Sequence, residues 1–215
     1  MKYLFALLTV LVYAHEPEQD ASSNAVTIHS YELSIDEYIA RTPAEVGTLK
    51  TWIDATLNLL PPHPHIIEIG SAFGRDADYM ESLGFEVERT DATEGFVNLL
   101  QQNGHAAYRF NILTDEFSSQ YDLIFANAVF LHFKPKELQK ALVKIGASLE
   151  QGGLLAFSVK QGEGEEWTTA KLGQPRYFCY WSADTICSLL ESAGFEITTI
   201  FEDDIFLQII ARRRG

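Results

Sequence analysis

The chain has 215 residues, of which 47% are hydrophobic, and its 30 acidic and 16 basic side chains give a formal net charge of -14. This length and apolar content predict one ordinary globular domain. The acidic balance argues against a nucleic-acid partner, because phosphate binding needs a basic surface. With only two cysteines, Cys179 and Cys187, the chain also lacks the composition of a disulfide framework.

The N-terminus begins with Met1-Lys2, followed by an apolar run over residues 3–14 that resembles a secretory signal peptide. The run is too short for a membrane span, which needs about 20 apolar residues. An apolar helix lying on the domain, or an extension outside the folded protein, would explain it equally well. Polar and small residues over 15–26 indicate a linker. We therefore expect an N-terminal segment and linker over 1–26 and a single domain over 27–215.

Helical patterns come next, from about residue 34 to residue 60. Ile35, Tyr38 and Ile39 share one helical face, and a second apolar face begins at Leu49. Pro43 divides the two helices, with Thr42 as a candidate N-cap for the second.

Strands and helices then alternate to the C-terminus. Strands are predicted over 65–69, 85–90, 106–110, 121–126, 153–159, 195–201 and 206–211, and helices over 75–83, 93–103, 136–149 and 183–193. Repeated strand–helix units imply a parallel sheet with helices on both faces. The last two strands are too close for a helical crossover, so they should pair antiparallel. The predicted fold is α/β, with a doubly wound, mostly parallel seven-stranded sheet, an antiparallel last strand and N-terminal helices.

The turn after the first strand carries Gly70 and Gly74, and Glu68 precedes it by two residues. Glycine lets a backbone approach a ligand closely. A dinucleotide fingerprint needs a third glycine where Arg75 stands, which argues against a nicotinamide or flavin cofactor. Asp91 ends the second strand, where a carboxylate can accept hydrogen bonds from both ribose hydroxyls.

The run from Glu68 to Asp91 resembles the class I S-adenosylmethionine-dependent methyltransferases, whose first motif is written E-x-G-x-G-x-G. Ala72 stands at the middle glycine of that motif. Asn111 with Ile112 after the third strand, the segment 126–132 after the fourth, and the closing hairpin match the family in position. The resemblance covers residues 31–211.

The resemblance implies S-adenosylmethionine as cofactor and a set of residues that bind it. The turn from Gly70 to Gly74 would pass under the methionine portion, Asp91 would bind the ribose, and Asn127 would lie near the reacting end. An N-terminal aromatic, Tyr31 or Tyr38, could close the pocket, although either could equally be helix packing. The cofactor-binding residues expected are Tyr31, Glu68, Gly70, Ser71, Gly74, Asp91, Ala92, Asn111, Ile112 and Asn127, with Ala92, Asn111 and Ile112 beside the adenine.

Fewer residues are available to predict where the methyl acceptor binds. His132 follows the fourth strand and is a candidate base or contact, although a packed imidazole is the simpler interpretation. Lys160 ends the fifth strand and is predicted to point into the same crevice as a catalytic or substrate-binding group. Arg176 and Tyr177 are candidate substrate ligands in a long irregular loop over 160–181, whose aromatic side chains are expected to cover the acceptor.

The predicted function is an enzyme that transfers a methyl group directly, in line, to a small-molecule acceptor. The alternative is a catalytically degenerate methyltransferase fold that acts as a binding module. No metal site is expected, because the six histidines show no ligand spacing. A cofactor made inside cells favours a cytoplasmic location, with export through residues 1–14 as the alternative. The oligomeric state is not indicated by the sequence.

Overall fold

A computed structural model of the protein describes residues 22–215. The signal-like segment and most of the predicted linker lie outside the described residues. The helices of the described part are α1 (Ser23–Glu32), α2 (Ile35–Ala40), α3 (Leu49–Leu57), α4 (Arg75–Ser82), α5 (Glu94–Gln102), α6 (Pro135–Ser148) and α7 (Ala183–Ser192), with a short 3-10 turn at Phe130–His132.

One mixed sheet forms the centre of the domain. Its strands are β1 (Ile66–Ile69), β2 (Val87–Asp91), β3 (Ala107–Arg109), β4 (Tyr121–Ala126), β5 (Leu149–Gln161), β6 (Glu165–Thr168), β7 (Arg176–Trp181), β8 (Phe195–Glu202) and β9 (Phe206–Arg213). Strands β3, β2, β1, β4 and β5 lie side by side and parallel. Strand β9 pairs antiparallel with β5 and with β8. The seven predicted strands and the reversed last strand are therefore confirmed.

Helices cover both faces of this sheet. On one face, Leu142 of α6 and Ile186 of α7 pack with Phe157 and other strand residues in a large apolar cluster. On the other face, Trp52 of α3 packs on Phe125 of β4, with ring centroids 4.7 Å apart. Burial of both faces explains why the central strands are almost continuously apolar.

The prediction of an irregular loop over 160–181 is wrong, because most of this segment is β structure. Strand β5 continues to Gln161, and β6 and β7 form an antiparallel hairpin in which Trp167 pairs with Tyr177. Strand β7 also pairs parallel with the end of β5, where Lys160 is opposite Tyr180. The hairpin thus extends the sheet beyond the carboxyl end of β5.

The N-terminal boundaries also differ from the prediction. Helix α1 begins at Ser23, so residues 23–26 are helical rather than linker, and Ser22 is its N-cap, accepting a hydrogen bond from the Ala25 N–H at 3.1 Å. Thr42 does not cap the following helix. Its hydroxyl donates to the Tyr38 carbonyl at 2.6 Å, and α3 begins only at Leu49.

No helix in the range 22–215 is long and apolar enough to cross a membrane.

Candidate functional site

A cavity opens at the carboxyl ends of β1, β2 and β4 and holds about 660 Å³ of empty space, including open solvent at its mouth. The position is the one where open α/β sheets bind ligands. Helix α1 lies over the cavity and contributes Asn24, Thr27 and Tyr31 to its lining.

The glycine turn brings backbone to the cavity wall. Gly70 has a left-handed φ of 77°, and a Cβ there would lie 2.5 Å from Cγ2 of Val129. Gly74, with φ of 94°, packs on the opposite side of the turn, where a Cβ would lie 2.5 Å from Nη1 of Arg89. Neither position accepts a side chain in this geometry. Ala72 between them also has a left-handed φ of 48°.

Asp91 ends β2 with its carboxylate held by backbone on two sides. One oxygen accepts from the Ala72 N–H at 2.9 Å and the other from the Thr93 N–H at 2.8 Å. Burial raises the pKa of Asp91, and these two donors oppose that rise. Each carboxylate oxygen can accept more than one hydrogen bond. The group is therefore fixed in orientation and can still accept from two ligand hydroxyls.

Asn111 and Ile112 lie beside the next strand end. The Asn111 side chain donates to Asn24 of α1 at 2.8 Å and accepts from the Leu113 N–H at 3.1 Å. Ile112 is buried and lines the cavity together with Phe110. This end of the cavity is lined by apolar side chains, with the Asn111 amide beside them.

Two buried carboxyl groups, Glu68 and Asp76, lie behind the glycine turn. Burial first, and the nearby Asp76 second, raise the pKa of Glu68 to about 8. Its Oε2 is buried and has no hydrogen-bond partner among the described residues. Asp76 is paired with Arg75 at 2.7 Å.

Asn127 connects this acidic pair to the cavity. Its amide nitrogen donates to Asp76 at 2.7 Å, and its oxygen accepts from the Ser158 hydroxyl at 2.7 Å. Ser158 in turn accepts from the Ala128 N–H at 2.8 Å. With both ends of its side chain bound, Asn127 has one orientation in the wall.

A chain of hydrogen bonds closes the other side of the cavity. Arg176 Nη1 donates to the Tyr31 hydroxyl at 3.1 Å, and that hydroxyl lies 2.8 Å from His132 Nε2. His132 Nδ1 lies 2.6 Å from the carbonyl of Tyr177. Since a carbonyl only accepts, Nδ1 carries the proton and Nε2 accepts from Tyr31. Burial, reinforced by the charges of Arg176 and Lys160, lowers the pKa of His132 to about 3, so the imidazole is neutral.

The hairpin residues divide between two environments. Arg176 and Phe178 lie beside Tyr31 and His132, since the Arg176 guanidinium is 5.4 Å from the Tyr31 ring centroid and Phe178 packs 4.6 Å from the imidazole. The Tyr177 side chain is instead buried in the core cluster. Strand alternation separates them, so Tyr177 reaches the site only through its backbone.

The structure brings most predicted cofactor residues together. Those that line the cavity are Tyr31, Gly70, Asp91, Ala92, Asn111, Ile112 and Asn127, joined by His132 from the acceptor side. Glu68, Ser71 and Gly74 do not line the cavity, and Lys160 and Arg176 lie beside it without lining it.

Sequence reasoning missed the residues that α1 supplies. Asn24, Thr27 and Ile28 line the cavity, but they were assigned to the linker or to its edge. The available signal was Ser22, a good N-cap residue before a run of helix-compatible residues. Asp76, which orients Asn127, was also missed.

Among the described residues, Asp78, Glu81 and His105 have the spacing of possible metal ligands. Asp78 and Glu81 each lie 2.7 Å from the buried guanidinium of Arg89. This cluster therefore neutralises an arginine and lies outside the cavity.

Comparisons with known proteins agree with this geometry. The model of a methyltransferase domain family matches residues 40–200 of the chain. The CcbJ methyltransferase from Streptomyces caelestis is 16% identical, over 86% of this chain and 98% of its own, with a TM-score of 0.69. A search of curated protein sequences finds no match.

Two further solved structures share the fold. The 1,6-didemethyltoxoflavin-N1-methyltransferase of Burkholderia thailandensis, solved with its named substrate and S-adenosylhomocysteine, is 17% identical over 93% of each chain, with a TM-score of 0.67. An S-adenosylmethionine-dependent methyltransferase from Mesorhizobium loti is 16% identical, over 74% of this chain and 96% of its own, with a TM-score of 0.60.

Proposed function

Since this chain belongs to the methyltransferase domain family, we propose that it transfers a methyl group from S-adenosylmethionine to a small-molecule acceptor. The observation that carries the proposal is Asp91. Its carboxylate ends β2 at the cavity wall and is oriented by two backbone donors. That arrangement suits recognition of a ribose, whose two hydroxyls are both donors.

The residues present fit this cofactor. Gly70 lines the cavity without a side chain, so a ligand can lie against the backbone of the turn. The carboxylate of Asp76 supplies negative charge near the turn. The unpartnered oxygen of Glu68 can accept a hydrogen bond from the methionine ammonium, whose charge would favour ionisation of Glu68. Ile112 and Phe110 offer an apolar slot for the adenine, with Ala92 and Asn111 at its edge.

When bound, the cofactor supplies a methyl group made electrophilic by its sulfonium. The protein needs to bind, orient and exclude water. Holding two reactants in line contributes up to about 7–11 kcal/mol in well-oriented cases. Tyr31 and His132 close the cavity on the acceptor side, and Lys160 and Arg176 border the place where an acceptor can enter.

We assign His132 to positioning rather than to proton removal. Its Nε2 already accepts from Tyr31, and its pKa is lowered to about 3. A general base is most effective when its pKa lies near the working pH. His132 therefore holds the Tyr31 hydroxyl, and the acceptor atom should reach the site already unprotonated or lose its proton to solvent.

The test is calorimetric titration of the protein with S-adenosylhomocysteine, in parallel with NADH. We expect binding of the first in the micromolar range and no binding of the second. Asp91→Asn should weaken S-adenosylhomocysteine binding at least 100-fold, because an amide NH₂ would meet either the Ala72 or the Thr93 N–H. Asp122→Asn is the matched control, since Asp122 binds His65 N at 2.8 Å, at the start of the strands. Equal affinity of the Asp91 variant and the wild type would refute the ribose assignment.

A cytoplasmic location is part of this proposal, because the cofactor is made inside cells. The N-terminal mass of the native protein tests it, since removal of residues 1–14 would indicate export.

A further inference from the structure

Three cationic side chains lie beside the cavity in a strongly acidic chain. This basic cluster consists of Lys160, Lys171 and Arg176. The chain has 30 acidic residues. Within residues 22–215, however, no carboxylate lies within 4 Å of a side-chain nitrogen of any of these three residues. A charge taken from water is normally paired. The cluster therefore has no directly paired counter-ion among the described residues, and the charge of Glu166 acts on Lys160 only from beyond ion-pair distance.

Arg176 is the centre of the cluster. It is 4% exposed, and its only hydrogen bond to the described residues is the one from Nη1 to Tyr31. Its Nε is buried without a partner. The guanidinium lies 5.4 Å from the Tyr31 ring centroid and 5.1 Å from that of Phe178. Most of its five N–H donors are thus left for a ligand.

Lys160 and Lys171 flank Arg176 on aromatic surfaces. Lys160 Nζ lies 4.4 Å from the Phe178 ring centroid, and Lys171 Nζ lies 4.3 Å from that of Tyr38. Burial lowers the pKa of Lys160, the charge of Glu166 opposes this change, and the charge of Arg176 adds to it. Burial first, and then the charges of Arg176 and Arg75, lower the pKa of Lys171 to about 8. Arg176 is therefore close enough to each of the two lysines to repel it.

We propose that the methyl acceptor carries an oxyanion, a carboxylate or a phosphate, which binds to Arg176 between Lys160 and Lys171. The inference rests on the proposed function, because it names the chemical class of the acceptor for that same site. An anion would satisfy the free donors of Arg176 and remove the mutual repulsion. The surrounding rings of Tyr31, Tyr38 and Phe178 suit an acceptor whose anion is attached to an apolar or aromatic body.

The position of the cluster links it to methyl transfer. Arg176 and the cavity share Tyr31, whose hydroxyl accepts from Arg176 while its side chain lines the cavity. An oxyanion on Arg176 would hold the rest of the acceptor against the mouth of the cofactor cavity. The cluster would thus select the acceptor and orient it at the same time.

The protein is first saturated with S-adenosylhomocysteine. It is then titrated separately with benzoate, phenyl phosphate and benzamide, and binding is measured by calorimetry. Benzoate and benzamide have nearly the same shape and differ in charge. We expect at least one anion to bind, and benzamide to bind at least tenfold more weakly. Comparing benzoate with phenyl phosphate tells a carboxylate from a phosphate.

Variants locate the binding. Lys160→Met and Lys171→Met should each weaken binding of the anion at least fivefold while leaving S-adenosylhomocysteine affinity within about twofold. Lys136→Met, on the exposed surface of α6, is the matched control and should change neither affinity. These lysines lie at the rim, so the test does not depend on the folding of an Arg176 variant.

The outcomes separate the two proposals. If S-adenosylhomocysteine binds but neither anion does, or benzamide binds as well as benzoate, or the lysine variants bind like wild type, the oxyanion site is refuted and the methyltransferase assignment stands. If S-adenosylhomocysteine fails to bind, the proposed function fails, and the same titrations without it decide whether the anion site exists.

Discussion

Glu68 is a buried acid whose environment favours its neutral form. Burial and the neighbouring Asp76 raise its pKa to about 8, from 4.5 in an unfolded chain. An acid with a raised pKa in the folded state contributes stability that is fully present below the unfolded pKa and is lost as the pH rises through the folded pKa. The window for Glu68 is therefore about pH 4.5 to 8.

We predict that Glu68→Gln stabilises the protein without ligand at pH 7 and has little effect near pH 4.5. The gain at pH 7 should be on the order of 3 kcal/mol, because at this pH the carboxyl of the unfolded chain is fully ionised while that of the folded protein is mostly protonated. Urea unfolding at several pH values measures it. The same variant should bind S-adenosylhomocysteine more weakly, because Gln cannot ionise in response to the positive ammonium of the ligand.

The exposed Glu86, immediately before β2, serves as the control. Glu86→Gln makes the same chemical change without altering a buried site. A Glu68 variant that is less stable than wild type at pH 7 would show that the carboxylate is a net stabilising group here.

At this scale the sequence predicted residues whose roles follow from position along the chain. Asp91, Asn111 and Asn127 all follow strand ends, and all line the cavity. The state of His132 was not predictable, since it depends on Tyr31, 101 residues away, and on the backbone of Tyr177. Asp76 escaped notice for the same reason, as its partner Asn127 is 51 residues away.

Among the secondary-structure elements, α1 is unusual because it docks mainly through polar side chains. Its buried residues are Ser23, Thr27 and Ser30. Ser30 donates to the Pro175 carbonyl at 2.6 Å, and Thr27 accepts from the Tyr177 N–H at 3.1 Å. Little apolar area holds this helix over the cavity. Elements with few buried apolar contacts are those that open locally.

We predict that Thr27→Val loosens α1. The variant keeps the side-chain shape but leaves the Tyr177 N–H without a partner, at a cost of about 1–3 kcal/mol. Amide hydrogen exchange should become faster across α1, and S-adenosylhomocysteine should bind about tenfold more weakly. In the wild-type protein the ligand should slow exchange in the same helix.

Thr51→Val, at an exposed position in α3, is the control for loss of a hydroxyl. Unchanged exchange in α1 of the Thr27 variant would mean that the helix is held by its other contacts.

The hairpin shows why one element was not predicted. In β7 the consecutive residues Arg176 to Trp181 place aromatic rings on both faces, so the polar–apolar alternation of a half-buried strand is absent. The core strands were predictable because turn residues and glycines mark their ends. The helices between them also show a clear apolar periodicity. Pairing of β7 with the end of β5 is a long-range contact that local pattern does not contain.

For the whole molecule, net charge is the dominant electrostatic property. A formal charge of -14 destabilises the compact state through self-repulsion. Salt screens that repulsion, with a Debye length of about 10 Å at 0.1 M. We predict that raising NaCl from 20 to 300 mM stabilises the protein by about 1 kcal/mol, which corresponds to about 2–4 °C in Tm for a chain of this size. Calorimetric melting measures it.

Chloride could also bind the basic cluster, so Lys171→Met is melted in the same series. An equal rise in Tm for the variant and the wild type assigns the effect to general screening. A Tm that is constant or falls with salt would contradict the prediction.

Strand β5 has thirteen residues, and its middle and its C-terminal end have different pairing partners. Its middle lies between β4 and β9, while its last two residues, Lys160 and Gln161, pass the end of β4 and pair with β7. The hairpin is thereby joined to the sheet at the end of β5, and the backbone of Pro175 and Tyr177 also binds helix α1 and His132. None of these attachments involves the glycine turn or Asp91. We therefore expect related proteins to differ in residues 162–175, or in the side chains of β7 that face the cavity. Such changes would alter the acceptor and leave the cofactor cavity unchanged.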